Sequence, residues 1–235
     1  MVRIMEESGK WFPVGLKRAE DSFNKIVPLI REAVRGKGVP SVTEISRKTR
    51  SPFKVLVSTV ISARTKDEVT ADASRRLFTE ADTPRKLARL SEERIARLIY
   101  PAGFYRVKAK NLRAMAIMIV ERFKGRVPQT IDELTALPGV GRKTANLVLT
   151  LAFGKDAICV DTHVHRIVNR IGVLKTSTPV ETEFALRKAL PKKFWAEIND
   201  LLVTYGKRVC TPMSPHCSVC VIGAYCKRVG VTRSR

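Results

Sequence analysis

Four cysteines near the end of the chain have a spacing that favours metal binding. Cys210, Cys217, Cys220 and Cys226 follow the pattern Cys-x6-Cys-x2-Cys-x5-Cys. Clustered cysteines rarely form disulfides inside a cell, and four thiolates in one loop suit tetrahedral zinc or an iron–sulfur cluster. Zinc ribbons usually contain two Cys-x2-Cys pairs, whereas this loop contains a single pair. The number of sulfur ligands alone does not decide between the two metals.

The stretch LPGVGRKTA at residues 137–145 could bind a phosphate group. Pro138 interrupts one helix, and Gly139 and Gly141 permit backbone angles closed to other residues and a close approach by a ligand. The next helix begins near Arg142, and its first amides have no intrahelical acceptors and lie at the positive end of its dipole. Such a helix start can bind a phosphate oxygen. A hairpin that only needs a tight turn would explain the same spacing.

The charge of the chain favours the phosphate interpretation. Lys and Arg total 44 against 22 Asp and Glu, which gives a formal net charge of +22. Such an excess indicates a polyanionic partner, and nucleic acid is favoured over an anionic membrane surface. No segment has the roughly 20 apolar residues that span a bilayer, and residues 1–15 lack the apolar run of a signal peptide. We therefore expect a soluble, intracellular protein. The single glutamine and five asparagines indicate a hot-living source.

The sequence LPGVGRKTANLVLTLAFG followed by VDTHVHR resembles the helix-hairpin-helix DNA glycosylases, and among them the endonuclease III family. The hairpin, the aspartate and the terminal cysteines agree with that family in type, order and spacing over residues 51–226. The resemblance implies that the four cysteines hold a [4Fe-4S] cluster. It also implies that the protein is a monomer that binds double-stranded DNA containing a damaged base or an abasic site. The protein itself is expected in the cytoplasm, associated with the nucleoid. The hairpin residues expected to bind DNA are Gly139, Val140, Gly141 and Arg142.

Two residues in this pattern could carry out glycosylase chemistry. Lys143 is expected in the first turn of the second hairpin helix, and Asp161 precedes an apolar helical pattern. Considered alone, Lys143 is an exposed helix lysine and Asp161 is a helix N-cap. The resemblance implies that Lys143 is the nucleophile that forms a Schiff base and that Asp161 is the carboxylate that stabilises the sugar cation. Adenine-mismatch glycosylases usually lack this lysine, so its presence favours a combined glycosylase and lyase.

His163 and Arg64 each have two interpretations. His163 matches a family position near the site, but a histidine hydrogen-bonded within a helix explains it as well, and we assign it no catalytic role. An enzyme that extrudes a base must fill the hole left in the duplex. In relatives a Ser-Ala-Gln-type turn supplies the filling side chain, and Arg64 takes the place of the glutamine in the turn Ser62–Asp67. Arg64 could instead contact a phosphate from the end of a helix.

The elements that position these residues are predicted to be almost entirely helical, because no alternating strand pattern is present. Capping boxes at Thr65 and Thr130 predict the starts of two helices, and Gly206 is expected to end the helix in FWAEINDLLVTYG. Apolar residues at helical spacing predict a long helix over residues 105–123. Further helix starts are predicted at Ser51-Pro52, Thr83-Pro84, Ser91 and Thr178-Pro179.

By this resemblance we expect an all-α, two-lobed helix-hairpin-helix DNA glycosylase fold. Residues 45–155 would form a six-helix barrel lobe with the hairpin, and residues 1–44 and 156–235 a discontinuous cluster lobe, with DNA in the cleft between them. The expected function is removal of oxidised pyrimidines from duplex DNA in base excision repair, with cleavage of the abasic site by β-elimination. A monofunctional mismatch-specific glycosylase and a non-catalytic DNA-binding module are the alternatives.

Overall fold

The structure, a computed structural model, describes residues 3–5, 11–13 and 16–235. The chain divides into two compact units. Pro40–Ala157 form one unit, which we call the helical unit, and the described residues up to Val39 with Ile158–Arg235 form the other, which we call the cysteine unit. Within the part of the chain that is described, no helix is long and apolar enough to cross a membrane. The signal-peptide prediction concerns residues 1–15, most of which lie outside the described residues.

The helical unit contains eight helices, six of them at least eight residues long. The central helix packs against four others of the unit, and its residues Val55, Leu56 and Ile61 are fully buried. The prediction of an all-α fold is confirmed for this unit. Its helices are α2 (Ser41–Thr49), α3 (Pro52–Ser62, the central helix), α4 (Asp67–Glu80), α5 (Pro84–Arg89), α6 (Glu92–Ile99), α7 (Tyr105–Arg122), α8 (Ile131–Thr135) and α9 (Arg142–Phe153).

Hydroxyl caps begin five helices where the sequence predicts them, and in each the side-chain oxygen accepts a backbone N–H of the first turn. Those caps are Ser51, Thr83, Ser91, Thr130 and Thr178. The capping box predicted at Thr65 is wrong, because α4 begins one residue later than that box requires and has Lys66 at its N-cap. The Thr65 hydroxyl instead accepts hydrogen bonds from the Gly103 amide and the Lys108 ammonium group.

The cysteine unit is built on four helices and three short 3-10 turns. Its apolar core combines residues such as Phe23, Val164 and Leu202, which come from three different helices. Before the first helix, β1 (Arg3–Met5) pairs antiparallel with β2 (Trp11–Pro13), and three residues are too few to give an alternating pattern in the sequence. The helices are α1 (Leu16–Ala33), α10 (Thr162–Ile171), α11 (Pro179–Ala189) and α12 (Ile198–Arg208), and the 3-10 turns are Lys192–Phe194, Cys217–Val219 and Gly223–Tyr225.

Gly206 does not end α12, contrary to the sequence-based prediction. The helix continues through it to Arg208. A Cβ atom at position 206 would lie 2.6 Å from His163 Nδ1 and 3.0 Å from Arg166 Nη2. The glycine is therefore explained by the close packing of α12 on α10 rather than by a left-handed cap.

Candidate active site and cysteine loop

The hairpin turn between α8 and α9 needs a glycine at one position and tolerates other residues at the second. Gly139 has φ +77°, in the left-handed region, and a Cβ atom there would lie 3.0 Å from Asn111 Cβ and Nδ2. Gly141 has φ −93°, which any residue adopts, and nothing lies within 4 Å of a Cβ built on it. The prediction that both glycines have special backbone angles is therefore wrong for Gly141. The small size of Gly141 leaves room for a ligand to approach the backbone closely from the solvent side.

The start of α9 has the features of an anion site. Gly141 is the N-cap and has no side chain to accept hydrogen bonds from the first-turn amides of this 12-residue helix. Those amides lie at the positive end of the helix dipole, where a phosphate oxygen is favoured. Val140 is structural and is not part of this helix start, since it is buried and its amide donates to Leu137 O at 3.1 Å. Val140 thus fixes the turn, and the candidate anion site is the backbone that begins at Gly141 and Arg142.

Lys143 lies in the first turn of α9, as the sequence predicts. Its side chain is exposed, whereas the next six residues, Thr144 to Leu149, are all buried. The core of the helical unit therefore fixes the helix that carries this amine. The amine itself stands at the solvent-accessible end, directly after the candidate phosphate site.

Asp161 is the N-cap of α10 in the cysteine unit. One carboxylate oxygen, Oδ1, accepts hydrogen bonds from the backbone amides of His163 at 2.8 Å and Val164 at 2.9 Å. The cap holds the half-buried carboxylate in one orientation. Since both bonds end on the same oxygen, an asparagine could make the same cap without carrying the charge.

His163 belongs to a hydrogen-bonded network that connects α10 with the beginning of the cysteine loop. Its Nδ1 atom lies 3.1 Å from Arg166 Nη2, which also donates to the backbone oxygen of Cys210 at 3.0 Å. Burial lowers the pKa of the Arg166 guanidinium. These contacts support the interpretation of His163 as a packed helix residue.

Arg64 lies in the turn between α3 and α4 and is exposed in the left-handed conformation, with φ +52°. Its guanidinium carbon is 5.5 Å from the centroid of the Phe104 ring. Phe104 also has a left-handed backbone, with φ +57°, and is 62% exposed. Phe104 was not identified from the sequence, because an aromatic residue in a loop gives no signal that distinguishes an exposed ring from a buried one.

The four loop cysteines converge on one region of the cysteine unit. Cys210, Cys220 and Cys226 pack against the apolar core of that unit. Burial raises the pKa of the Cys226 thiol, the Arg228 amide opposes this shift, and the charges of Cys220, Cys210 and Cys217 add to it, so the other three sulfur atoms lie within electrostatic reach of Cys226. Among the described residues, no group of three or more His, Cys, Asp or Glu side chains is arranged so that it could hold a metal ion.

The surroundings of the sulfur atoms fit a negatively charged thiolate cluster. Arg170 Nη1 donates to Cys210 Sγ at 3.3 Å, and the Arg228 amide donates to Cys226 Sγ at 3.4 Å. The Tyr205 hydroxyl lies 3.1 Å from Cys220 Sγ. Donors of this kind stabilise thiolates that ligate iron. Arg170 was not identified from the sequence, since an arginine near the end of a helix gives no sign there that it is buried.

The chain is similar in sequence and in fold to known proteins. A family model described as "HhH-GPD superfamily base excision DNA repair protein" matches residues 57–192, more than half of the chain. Endonuclease III of Thermotoga maritima is 48% identical over 182 residues, which cover 77% of this chain and 85% of the relative. Endonuclease III-like protein 1 of Bos taurus is 42% identical over 228 residues, which cover 96% and 68%.

A solved structure with a similar fold is a trapped endonuclease III–DNA covalent intermediate. It matches with a TM-score of 0.78 at 29% identity and covers 92% of this chain and 97% of that chain. The chain therefore belongs to the endonuclease III family, within the HhH-GPD superfamily of base excision DNA repair proteins. The all-α helix-hairpin-helix fold and the family resemblance expected from the hairpin sequence are thereby confirmed.

Proposed function

We propose that the protein is a bifunctional DNA glycosylase and AP lyase of base excision repair that acts as a monomer on duplex DNA. One observation carries the proposal. The fold matches a structure in which endonuclease III is trapped in a covalent bond with DNA, and an exposed lysine follows the hairpin turn of this chain. A covalent intermediate needs a nucleophile, and an unprotonated lysine amine is a suitable one for a sugar carbon.

In the proposed reaction the start of α9 binds a DNA phosphate and so positions the neighbouring sugar. Lys143 Nζ attacks the anomeric carbon while the bond to the damaged base breaks, and the base leaves with its bonding electrons and takes up a proton. The carboxylate of Asp161 stabilises the positive charge that develops on the sugar. The amine then loses a proton and the bond between the anomeric carbon and the ring oxygen breaks, so that the ring opens to an imine and the ring oxygen takes up a proton. The imine acidifies the neighbouring carbon, so that loss of a proton there expels the 3′ phosphate and cleaves the strand.

We propose oxidised pyrimidines as the substrates, and incubation with a panel of duplexes tests this. Each duplex carries one oxidised pyrimidine, one mismatch or one abasic site. We expect base release from the oxidised pyrimidines and strand cleavage at the abasic site. A monofunctional mismatch glycosylase would release a mismatched base without cleaving the strand, and a non-catalytic module would bind every duplex and cleave none.

We further propose that Cys210, Cys217, Cys220 and Cys226 hold a [4Fe-4S] cluster. Support comes from the gathered thiols and from the N–H and O–H donors around them. The cluster would stabilise the fold of the loop, because neither hydrolysis nor β-elimination transfers an electron. The amides of Lys227 and Val229 donate to the oxygens of Ile171 and Arg170 at 3.0 and 2.9 Å, so the loop is also connected to the end of α10.

Protein purified without oxygen should therefore contain about four irons per chain and be brown. Cys217→Ser should lose the iron and lower the melting temperature, because one of the four thiolates is gone. Cys159→Ala is the matched control, since Cys159 lies outside the loop, and it should retain the iron. Stoichiometric zinc without iron in the wild-type protein, measured by elemental analysis, would contradict the assignment.

Gly139→Ala should weaken binding to all duplex sequences by about five- to tenfold, because a side chain at φ +77° displaces the hairpin and phosphate contacts do not read sequence. Gly125→Ala is matched for backbone strain, with φ +79° outside the hairpin, and should leave affinity unchanged.

Gly141→Ala should weaken binding only if DNA approaches its Cα closely. Fluorescence anisotropy at several salt concentrations measures all three, and binding that is insensitive to salt would contradict the phosphate interpretation.

A further inference from the structure

A buried lysine on α7 makes three hydrogen bonds to the turn that carries Arg64. Lys108 is only 6% exposed. Its Nζ atom donates to Ile61 O at 2.6 Å, to Ala63 O at 2.6 Å and to Thr65 Oγ1 at 2.8 Å. An ammonium group has three N–H donors, and here each has an acceptor within the helical unit. All three N–H donors of Lys108 thus bind acceptors at the end of α3 and in the turn that follows it.

The protonation state of Lys108 suits this arrangement. Burial lowers the pKa of Lys108 to about 8, so the ammonium form with three donors predominates below that pH. A lysine with a lowered pKa could also be a nucleophile, but this amine is buried and its hydrogens are all committed to the turn. It therefore cannot reach a sugar carbon without breaking the turn, and a structural task for it is the better interpretation.

The turn between α3 and α4 needs such a contact. The last carbonyl groups of a helix have no intrahelical donors, and Ile61 O is one of them because α3 ends at Ser62. Two residues later Arg64 adopts φ +52°, a conformation that an L-residue takes up only when its surroundings enforce it. The ammonium group of Lys108 satisfies the end of α3 and fixes the backbone on both sides of this strained position.

A second contact holds the same turn from the segment before α7. The Gly103 amide donates to Thr65 Oγ1 at 3.1 Å. A Cβ atom at position 103 would lie 2.3 Å from Arg64 O, so only glycine allows this close approach. Gly103 and Lys108 therefore hold Arg64 from one segment, and Phe104 of that segment stacks on the guanidinium group.

We propose that Lys108 is a positioning residue that holds Arg64 in its exposed conformation for the extrusion of a nucleotide from duplex DNA. This inference rests on the proposed function, and of the two interpretations of Arg64 it takes the one in which the side chain fills the vacated space. Lys108 does not contact DNA in this account. It acts through the backbone of residues 61–65.

The decisive variant is Lys108→Met, which keeps the length of the side chain and removes all three donors. Single-turnover base release from a duplex lesion should fall about tenfold, whereas cleavage of a single-stranded abasic oligonucleotide should change by less than about twofold, because no base stack must be opened there. In an Arg64→Ala background the same substitution should cost less than about twofold on the duplex, since its effect passes through Arg64. Equal losses on both substrates, or additive losses in the double variant, would overturn the proposal.

Two further variants keep the test decisive if Lys108→Met does not fold, which circular dichroism will show. Thr65→Val removes one acceptor of the ammonium group and the partner of the Gly103 amide. Gly103→Ala displaces Arg64 directly. Both should show the same preference for loss on the duplex, and equal losses would again overturn the proposal. Lys110→Met removes an exposed lysine from the same helix and should leave both rates unchanged.

A binding measurement separates this inference from the proposed function. 2-Aminopurine opposite a tetrahydrofuran abasic-site analogue reports unstacking, and the analogue cannot form an imine. Wild-type protein should increase the fluorescence, and both Lys108→Met and Arg64→Ala should reduce that increase. Failure of wild-type protein to cleave any abasic site would overturn the proposed function, while an undiminished fluorescence increase with Lys108→Met would overturn the positioning role alone.

Discussion

Lys143→Gln should reduce strand cleavage at an abasic site by at least about a thousandfold, which is the scale of losses seen when a covalent nucleophile is removed. The substitution removes the primary amine that forms the imine. It should leave the fold intact, because the side chain is exposed and the six residues that follow it anchor α9 in the core. Single-turnover cleavage of a duplex with one abasic site measures the loss.

The control for this variant must remove one positive charge without removing the nucleophile. Lys155→Gln does so, since Lys155 follows the far end of α9 and its ammonium group donates to Gln129 O at 2.7 Å. We expect cleavage by Lys155→Gln within about twofold of wild type, because one exposed charge contributes little to a specific reaction step. If both variants lost activity equally, charge rather than the amine of Lys143 would explain the result.

Asp161→Asn should slow base release from a duplex lesion by about a hundredfold, a typical cost of removing one group that stabilises charge in the transition state. Asparagine can still accept the two backbone hydrogen bonds that end on Oδ1, so the cap of α10 should survive. The melting temperature should therefore remain close to that of wild type. Rates of base release and thermal unfolding, measured on the same preparation, check the two expectations together.

Asp161→Ala separates the cap from the charge. It removes both, so it should lose activity as Asp161→Asn does and in addition lose about 1 kcal/mol of stability. An Asp161→Asn variant that released bases at the wild-type rate would show that Asp161 is only a helix cap. Equal destabilisation in both variants would show that asparagine does not replace the cap.

Local signals in the sequence predicted much of the secondary structure and the hairpin. A hydroxyl or carboxylate oxygen that caps a helix acts within three residues, so Thr130 and Asp161 can be identified without any tertiary information. The same holds for α9, which begins at Arg142 and ends before Gly154, where φ is +60°. Such features are predictable because both partners of each contact lie close together in the chain.

Features that depend on distant partners were not predictable. Thr65 has capping-box spacing, but its hydroxyl binds Gly103 and Lys108, and the competing contact is invisible in the local sequence. Gly206 lies where a C-cap is expected, yet the helix continues through it, and residue 206 is a glycine because His163 occupies the space that a side chain would need. The helix α1 contains Pro28 and gave no clear signal, although its apolar face is buried in the core.

The functional assignments also divide into those that the sequence shows and those that only the fold shows. The residue types of Lys143, Asp161 and the four cysteines are characteristic enough to be selected by pattern and family resemblance. Lys108 is one of many basic residues, and its burial and three acceptors become known only from the fold. The role of a side chain that acts through another residue is thus the part that sequence reasoning could not supply.

The identity of the nucleophile is the central claim, and trapping with borohydride tests it most directly. Wild-type protein is incubated with abasic-site duplex in the presence of borohydride, which reduces the imine to a stable protein–DNA bond, and the modified peptide is identified by mass spectrometry. We predict a single attachment site at Lys143, and no adduct with Lys143→Gln. An adduct on another amine, or one that forms with Lys143→Gln at the wild-type rate, would contradict the assignment of Lys143 as the nucleophile.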